Sequence, residues 1–266
     1  MTALSNIQGD PSGCPYRRAG SGSSPLLALH GLGGSSTQPL SLFDAEVFAA
    51  YDVIAPDLRA HGANRMPVTP EYLSFEQLAQ DVRELLDSLE LTAPVRLVGI
   101  SMGAGVAVQL LAEGLDTAGV VLVRPAWGWL PSPDNLAIFP RIASLLGDCP
   151  ASEARRRLRA TQDYADLAAV SSAAAEALLA QFDDDRAVER RERLRRLPAD
   201  APARPGRGHD PLVVTTPRDP VHPLALADEL AADLDGRLQV VAPRYESPSR
   251  HASEVSRAVC GERRPH

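Results

Sequence analysis

Residues 95–105 read VRLVGISMGAG. Val95–Ile100 is an apolar run of strand length. From Met102 onward Val106, Ala107, Leu110 and Leu111 recur at helical spacing. Ser101 stands at the junction, with Gly99 and Gly103 two positions to either side. A turn this sharp leaves no room for a Cβ at 99 or 103, and it holds the serine hydroxyl clear of both elements. The helix that follows aims its first N–H groups at the place where negative charge develops when Ser101 attacks a carbonyl. The other reading is a plain serine in a Gly-rich turn, but the strand before and the helix after favour a nucleophile.

Outward from this junction, short apolar runs alternate with helical patterns, the signature of parallel βαβ units. The runs are Pro25–His30, Tyr51–Pro56, Gly119–Arg124, Pro211–Thr216 and Leu238–Ala242. Most are apolar throughout, as in strands covered on both faces. Phe75, Leu78, Val82, Leu85 and Leu89 predict a helix, opened by a capping box at Ser74 and Gln77. A further helix is expected near Pro223, and a short one over Ala252–Val259. Residues 1–24 read as a loose arm with room for one short strand. The alternation stops between Arg124 and Pro211, where four helices are expected, near 135–146, 152–167, 171–182 and 186–197. The chain therefore reads as a core of residues 1–124 and 209–266, interrupted by a helical cap at 125–208. The Arg clusters at 155–157 and 190–196 read as a solvated ion-pair face.

Composition sets the outer bounds. The 266 residues suit one α/β domain with an insertion, and the net charge of −7 argues against nucleic acid and anionic membranes as partners. All 27 basic residues are arginine, which excludes lysine-dependent chemistry such as a Schiff base or a P-loop. Three cysteines form no disulfide framework, and Met1–Ser24 has no apolar stretch of the signal-peptide kind, so a cytoplasmic location is expected. No H-E-x-x-H or Cys/His cluster points to a metal, and no cofactor is expected.

A nucleophilic serine needs a base and a group that orients it. Of the six histidines, His251 lies beyond the last strand, in an expected loop that can fold over Ser101, and it is the candidate base. Asp219 ends another strand in PRDPVHP (217–223) and is the candidate orienting acid, at the strand edge where open α/β sheets bind ligands. His222, three residues on, is the rival base, read as a structural or pocket-lining residue. Trp127 and Trp129, where the sheet gives way to the cap, are candidate pocket walls.

The order Ser101, Asp219, His251, with the blocks LLALHGLGG (26–34), APDLRAHGAN (55–64), LVGISMGAG (97–105) and VTTPRDPVHP (214–223), resembles the α/β-hydrolase-fold serine hydrolases that carry a helical cap. The resemblance spans roughly residues 25–124 and 211–259. It implies a mostly parallel sheet of about six strands flanked by helices. It also implies an oxyanion hole built from the Leu32 and Met102 amides. His30, in the HGLG segment, is expected to be structural, at most a pocket residue. The Asp57–Gly62 segment shapes a loop behind the site. The family sometimes carries its acid after the strand before the cap; here Arg124-Pro125 stands there, leaving Asp219 without a competitor. The implied activity is hydrolysis of an ester, thioester or related carbonyl compound, small to medium and apolar. Lyase or cyclase-like C–C chemistry with the same residues is the alternative, and a non-catalytic ligand receptor is a minor one. A dinucleotide site fits poorly, because Ser36 replaces the third glycine after Gly31 and Gly33. The expected partner is a small-molecule substrate; the sequence leaves the oligomeric state open.

Overall fold

The computed structural model describes residues 7–9, 13–67, 73–146, 148–183, 187–195 and 197–261. Its sheet has seven strands: β1 (Tyr16–Ala19), β2 (Ser24–Leu29), β3 (Tyr51–Pro56), β4 (Val95–Ile100), β5 (Thr117–Val123), β6 (Leu212–Thr215) and β7 (Arg237–Val240). They lie in the order β1-β3-β2-β4-β5-β6-β7. Every pairing is parallel except β1 with β3. The strand beyond the six read from the sequence is β1, four residues of the arm. It pairs Tyr16 with Pro56 and Ala19 with Val53.

Helices cover both faces. They are α1 (Thr37–Leu42), α2 (Ala45–Ala50), α3 (Phe75–Ser88), α4 (Met102–Ala112), α10 (Leu224–Asp233) and α11 (Pro248–Cys260). Successive residues of a strand point to opposite faces. Leu27 and Leu29 accordingly join Phe75 and Leu78 of α3 in one core. Leu26 and Ala28 join Leu40, Val47 and Val255 of α1, α2 and α11 in the other. The inner strands are thus covered on both faces, which is why they are mostly apolar, whereas the edge strands β1 and β7 carry polar residues. Ser74 caps α3 by accepting the Gln77 N–H at 3.1 Å, while the Gln77 side chain donates to Asp81 instead of reaching back.

Between β5 and β6 the chain forms α5 (Ile138–Leu145), α6 (Ala151–Arg159), α7 (Gln162–Val170), α8 (Ser172–Leu179) and α9 (Ala187–Arg195), with 3₁₀ turns at Asp134–Leu136 and Ala180–Phe182. The single helix expected over 152–167 is two. Thr161 leaves the helical conformation and caps α7 through the Tyr164 N–H. Arg186, where the last helix was expected to begin, and Arg196 lie outside the described residues. Among the described residues no helix is long and apolar enough to cross a membrane, and no group of three or more His, Cys, Asp or Glu could hold a metal ion.

Candidate active site

Ser101 occupies φ 54°, ψ −110°, a conformation that costs a non-glycine residue about 1–3 kcal/mol. Its surroundings enforce it. The Ser101 N–H donates to Val123 O at 2.9 Å, tying the turn to β5. A Cβ on Gly99 would lie 2.3 Å from Gly103 O, and one on Gly103 would lie 2.5 Å from Leu29 O. Only glycine lets α4 start this close to β4 and β2. Met102 opens α4, so its N–H has no acceptor one turn earlier in the helix. Leu32 lines the cavity above Ser101. Neither amide donates to a protein acceptor among the described residues. The HGLG loop is held by Gln38, whose Oε1 accepts the Gly31 N–H at 2.6 Å.

The ring that meets Ser101 is that of His222. Its Nε2 lies 2.9 Å from Ser101 Oγ, and its Nδ1 lies 2.9 Å from Asp219 Oδ2. The local sequence explains the pairing. Asp219 Oδ1 accepts the N–H groups of Val221 and His222 at 3.1 and 3.2 Å, folding the chain back so that the His222 ring reaches the same carboxylate. Burial alone would raise the Asp219 carboxyl. The His222 hydrogen bond, the charges of His222 and Arg124 and the Val221 N–H overcome it and hold the pKa at about 2. An ionised carboxylate only accepts. His222 therefore carries its proton on Nδ1 and turns a lone pair on Nε2 to the Ser101 hydroxyl. Burial, then the nearby charge of Arg124, lowers the His222 pKa and keeps the ring neutral.

His251 does not take the expected place. Pro248, at the first position of α11, starts that helix a turn earlier than the sequence reading had it. His251 is thereby part of the helix and not of a loop. It is buried, its Nδ1 is 2.9 Å from Ala242 O, and no hydrogen bond joins it to Ser101. Burial, with the charge of Arg124, lowers its pKa to about 4. Two signals could have corrected the sequence reading. Ser247-Pro248 marks a helix start, and the Asp-x-x-His spacing suits a turn in which one carboxylate serves both backbone and ring.

The other candidates divide. Trp127 lines the cavity, packs edge-on against Phe75 with centroids 5.5 Å apart, and donates its Nε1–H to Pro198 O at 3.1 Å. Trp129 does not line it; it points to the molecule's outside, where its Nε1–H meets Asp233 and Arg204 stacks on its ring. His30 is wholly buried behind the loop, accepting the Leu58 N–H on Nε2 and donating to Gly31 O from Nδ1. It holds the 30–34 and 57–64 loops together and lies outside the cavity lining. Asp57 serves the same loop pair, accepting from the Ser36 and Ala63 N–H groups.

The cavity has a volume of about 280 Å³. Helical residues from the β5–β6 insertion cover it: Leu136, Phe139 and Leu178 join Leu32, Trp127 and Val221 as an apolar wall. Of the two tryptophans expected as pocket walls only Trp127 is in this lining, and the polar part went unforeseen, for Arg124, Arg190 and Arg244 line the same space. Arg190 had been read as part of a solvated charged face.

The family model described as "Alpha/beta hydrolase family" matches residues 26–258. Protein phosphatase methylesterase 1 of Homo sapiens is 35% identical over 102 residues, 37% of this chain. The match spans only about a quarter, 26%, of that relative's length. Among solved structures, a serine hydrolase from Cycloclasticus zankles superposes with a TM-score of 0.70 at 19% identity, covering 100% of both chains. A thermophilic esterase from Thermogutta terrifontis gives 0.62 at 20% identity, covering 98% of each. At these identities the superpositions speak for the fold.

Proposed function

The chain belongs to the alpha/beta hydrolase family, and on that premise we propose that it is a serine hydrolase of carboxylic esters, with Ser101 as nucleophile, His222 as general base and Asp219 as the group that orients and charges the base. The observation that carries this reading is the unbroken chain of hydrogen bonds from Ser101 Oγ through the His222 ring to Asp219, 2.9 Å at each link.

The reaction follows from that geometry. His222 Nε2 takes the Ser101 proton as Oγ bonds to the ester carbonyl carbon. The carbonyl oxygen becomes an oxyanion facing the Leu32 and Met102 amides, and loss of one such donor typically costs about 2.7–4 kcal/mol of barrier. The C–O bond to the alcohol breaks as Nε2–H protonates the leaving oxygen. Water then gives a proton to Nε2 while attacking the acyl carbon. Collapse returns the proton to Ser101 and releases the acid. Asp219 stabilises the imidazolium in both halves without accepting its proton. The reading needs a small-molecule substrate and no cofactor.

Ser101→Ala is expected to abolish labelling by a fluorophosphonate probe while the circular dichroism spectrum stays native. His222→Ala is expected to lower turnover of para-nitrophenyl acetate by about 10³-fold or more, and His251→Ala by far less. Undiminished labelling of Ser101→Ala would refute the nucleophile. A folded His251→Ala variant more damaged than His222→Ala would refute the base.

A further inference from the structure

Three arginines line one small cavity, and among the described residues no carboxylate lines it. Arg124 is 3% exposed. Its Nη1 lies 3.4 Å from Asp219 Oδ2, an oxygen already engaged by His222. Arg190 reaches in from α9, donating to the main-chain carbonyl of Gln181 at 2.8 Å. Arg244 follows β7. Its guanidinium stands 5.6 Å from the ring centroid of Tyr245, and among the described residues it forms no ion pair.

Among the described residues the lining holds arginines and no carboxylate. Asp219 is the one described anion hydrogen-bonded to His222, and it is shared between Arg124 and His222. Burial, then the charge of Arg244, pushes the Arg124 pKa down, so the two cations repel across the site. A walled cavity of one sign of charge draws in the opposite sign. An apolar ester leaves the repulsion in place; an anion relieves it.

We infer that the preferred substrate is an ester that also bears a free carboxylate, which Arg244 holds at the cavity rim with Arg124 beneath, while the apolar wall takes the carbon chain. The inference rests on Ser101 as nucleophile. The volume of about 280 Å³ confines the substrate to a small one.

The test compares mono-para-nitrophenyl glutarate with para-nitrophenyl pentanoate, a neutral ester of equal chain length, in wild type and in Arg244→Gln. The expected kcat/KM ratio favours the acidic ester by about tenfold or more in wild type, the worth of one charged hydrogen bond. It should fall toward unity in Arg244→Gln. A wild-type ratio of one or below, or a ratio untouched by Arg244→Gln, overturns the proposal. If neither ester turns over, fluorophosphonate labelling of Ser101 decides. Slowing by millimolar glutarate but not by pentane-1,5-diol, lost in Arg244→Gln, supports the anion site; equal labelling rates throughout refute it. A wild-type protein that neither turns over an ester nor labels at Ser101 fails on the hydrolase reading itself, which separates the two failures.

Discussion

Replacing Gly103 by alanine tests how the elbow is built. The new Cβ would lie 2.5 Å from Leu29 O and 2.7 Å from His30 O. Ordinary van der Waals contact lies well above 3 Å, so most of an ångström must be found. Both oxygens belong to the main chain at the end of β2, with no flexible side chain to yield. The first turn of α4 must therefore retreat from the sheet. Overpacking of this kind costs about 3 kcal/mol at the upper end of its range, and the better helix propensity of alanine returns about 1 kcal/mol. The net loss of about 2 kcal/mol corresponds to a fall in Tm of about 4–8 °C. Ser101 precedes that turn and moves with it. Its 2.9 Å hydrogen bond to His222 does not survive such a shift, and labelling at Ser101 should slow by about 100-fold. The assay is a thermal melt followed by circular dichroism together with the fluorophosphonate labelling rate. Gly206→Ala is the control, since nothing lies within 4 Å of the Cβ it would add. A Gly103→Ala protein that melts with the control and labels at the wild-type rate would show that close approach of α4 to β2 does not shape the nucleophile.

Two other outcomes follow from the buried groups. In the proposed mechanism only the neutral His222 ring can take the Ser101 proton, and burial and Arg124 lower its pKa; activity should be full above that lowered value and fall as pH drops through it. The acid limb of kcat/KM should thus lie below the 6.5 of a free imidazole, and Arg124→Met should move it to higher pH; a limb at or above 6.5, or one the variant leaves in place, contradicts the role given to Arg124. Trp127→Ala removes a side chain that is 1% exposed and packed on Phe75, so a loss of about 3–5 kcal/mol is expected in chemical denaturation; a loss under 1 kcal/mol would mean the indole is a cavity wall and not a support of the fold.

Much of this was legible in the sequence because the signals were local. Val95–Ile100 and Tyr51–Pro56 are strands over the ranges their mostly apolar runs mark, each interrupted by one charged residue near its start, Arg96 and Asp52, since a short hydrophobic run between turn residues has few other uses in an α/β chain. The Ser101 turn was legible for the same reason: its glycines answer clashes within a few residues. The insertion was legible as helices, and the break it hid, at Ala160–Thr161, turns on a single capping hydroxyl. The partner of Ser101 was harder. Which imidazole closes a gap of 121 residues depends on where α11 begins and how the Asp219 turn folds, and composition and periodicity are blind to both. Arg190 was misread and Arg244 passed over because neither carries a sequence mark that separates an arginine lining a cavity from a solvated one.

Asp219 and His222 sit three residues apart on one turn. In the proposed mechanism acid and base are thus a portable unit, whose internal geometry is set by Asp219 gripping its own backbone. A single spacing, from the end of β6 to the end of β4 across β5, has to be kept for the serine to meet them. The sheet's far edge is released from that duty. The 241–247 connection, which carries Arg244, supplies none of the hydrogen bonds that join Ser101, His222 and Asp219, and it acts on them only through the charge of Arg244, which helps lower the His222 pKa. In the proposed reading the residue that selects the substrate and the residues that move the proton thus lie on different stretches of chain, coupled through charge alone.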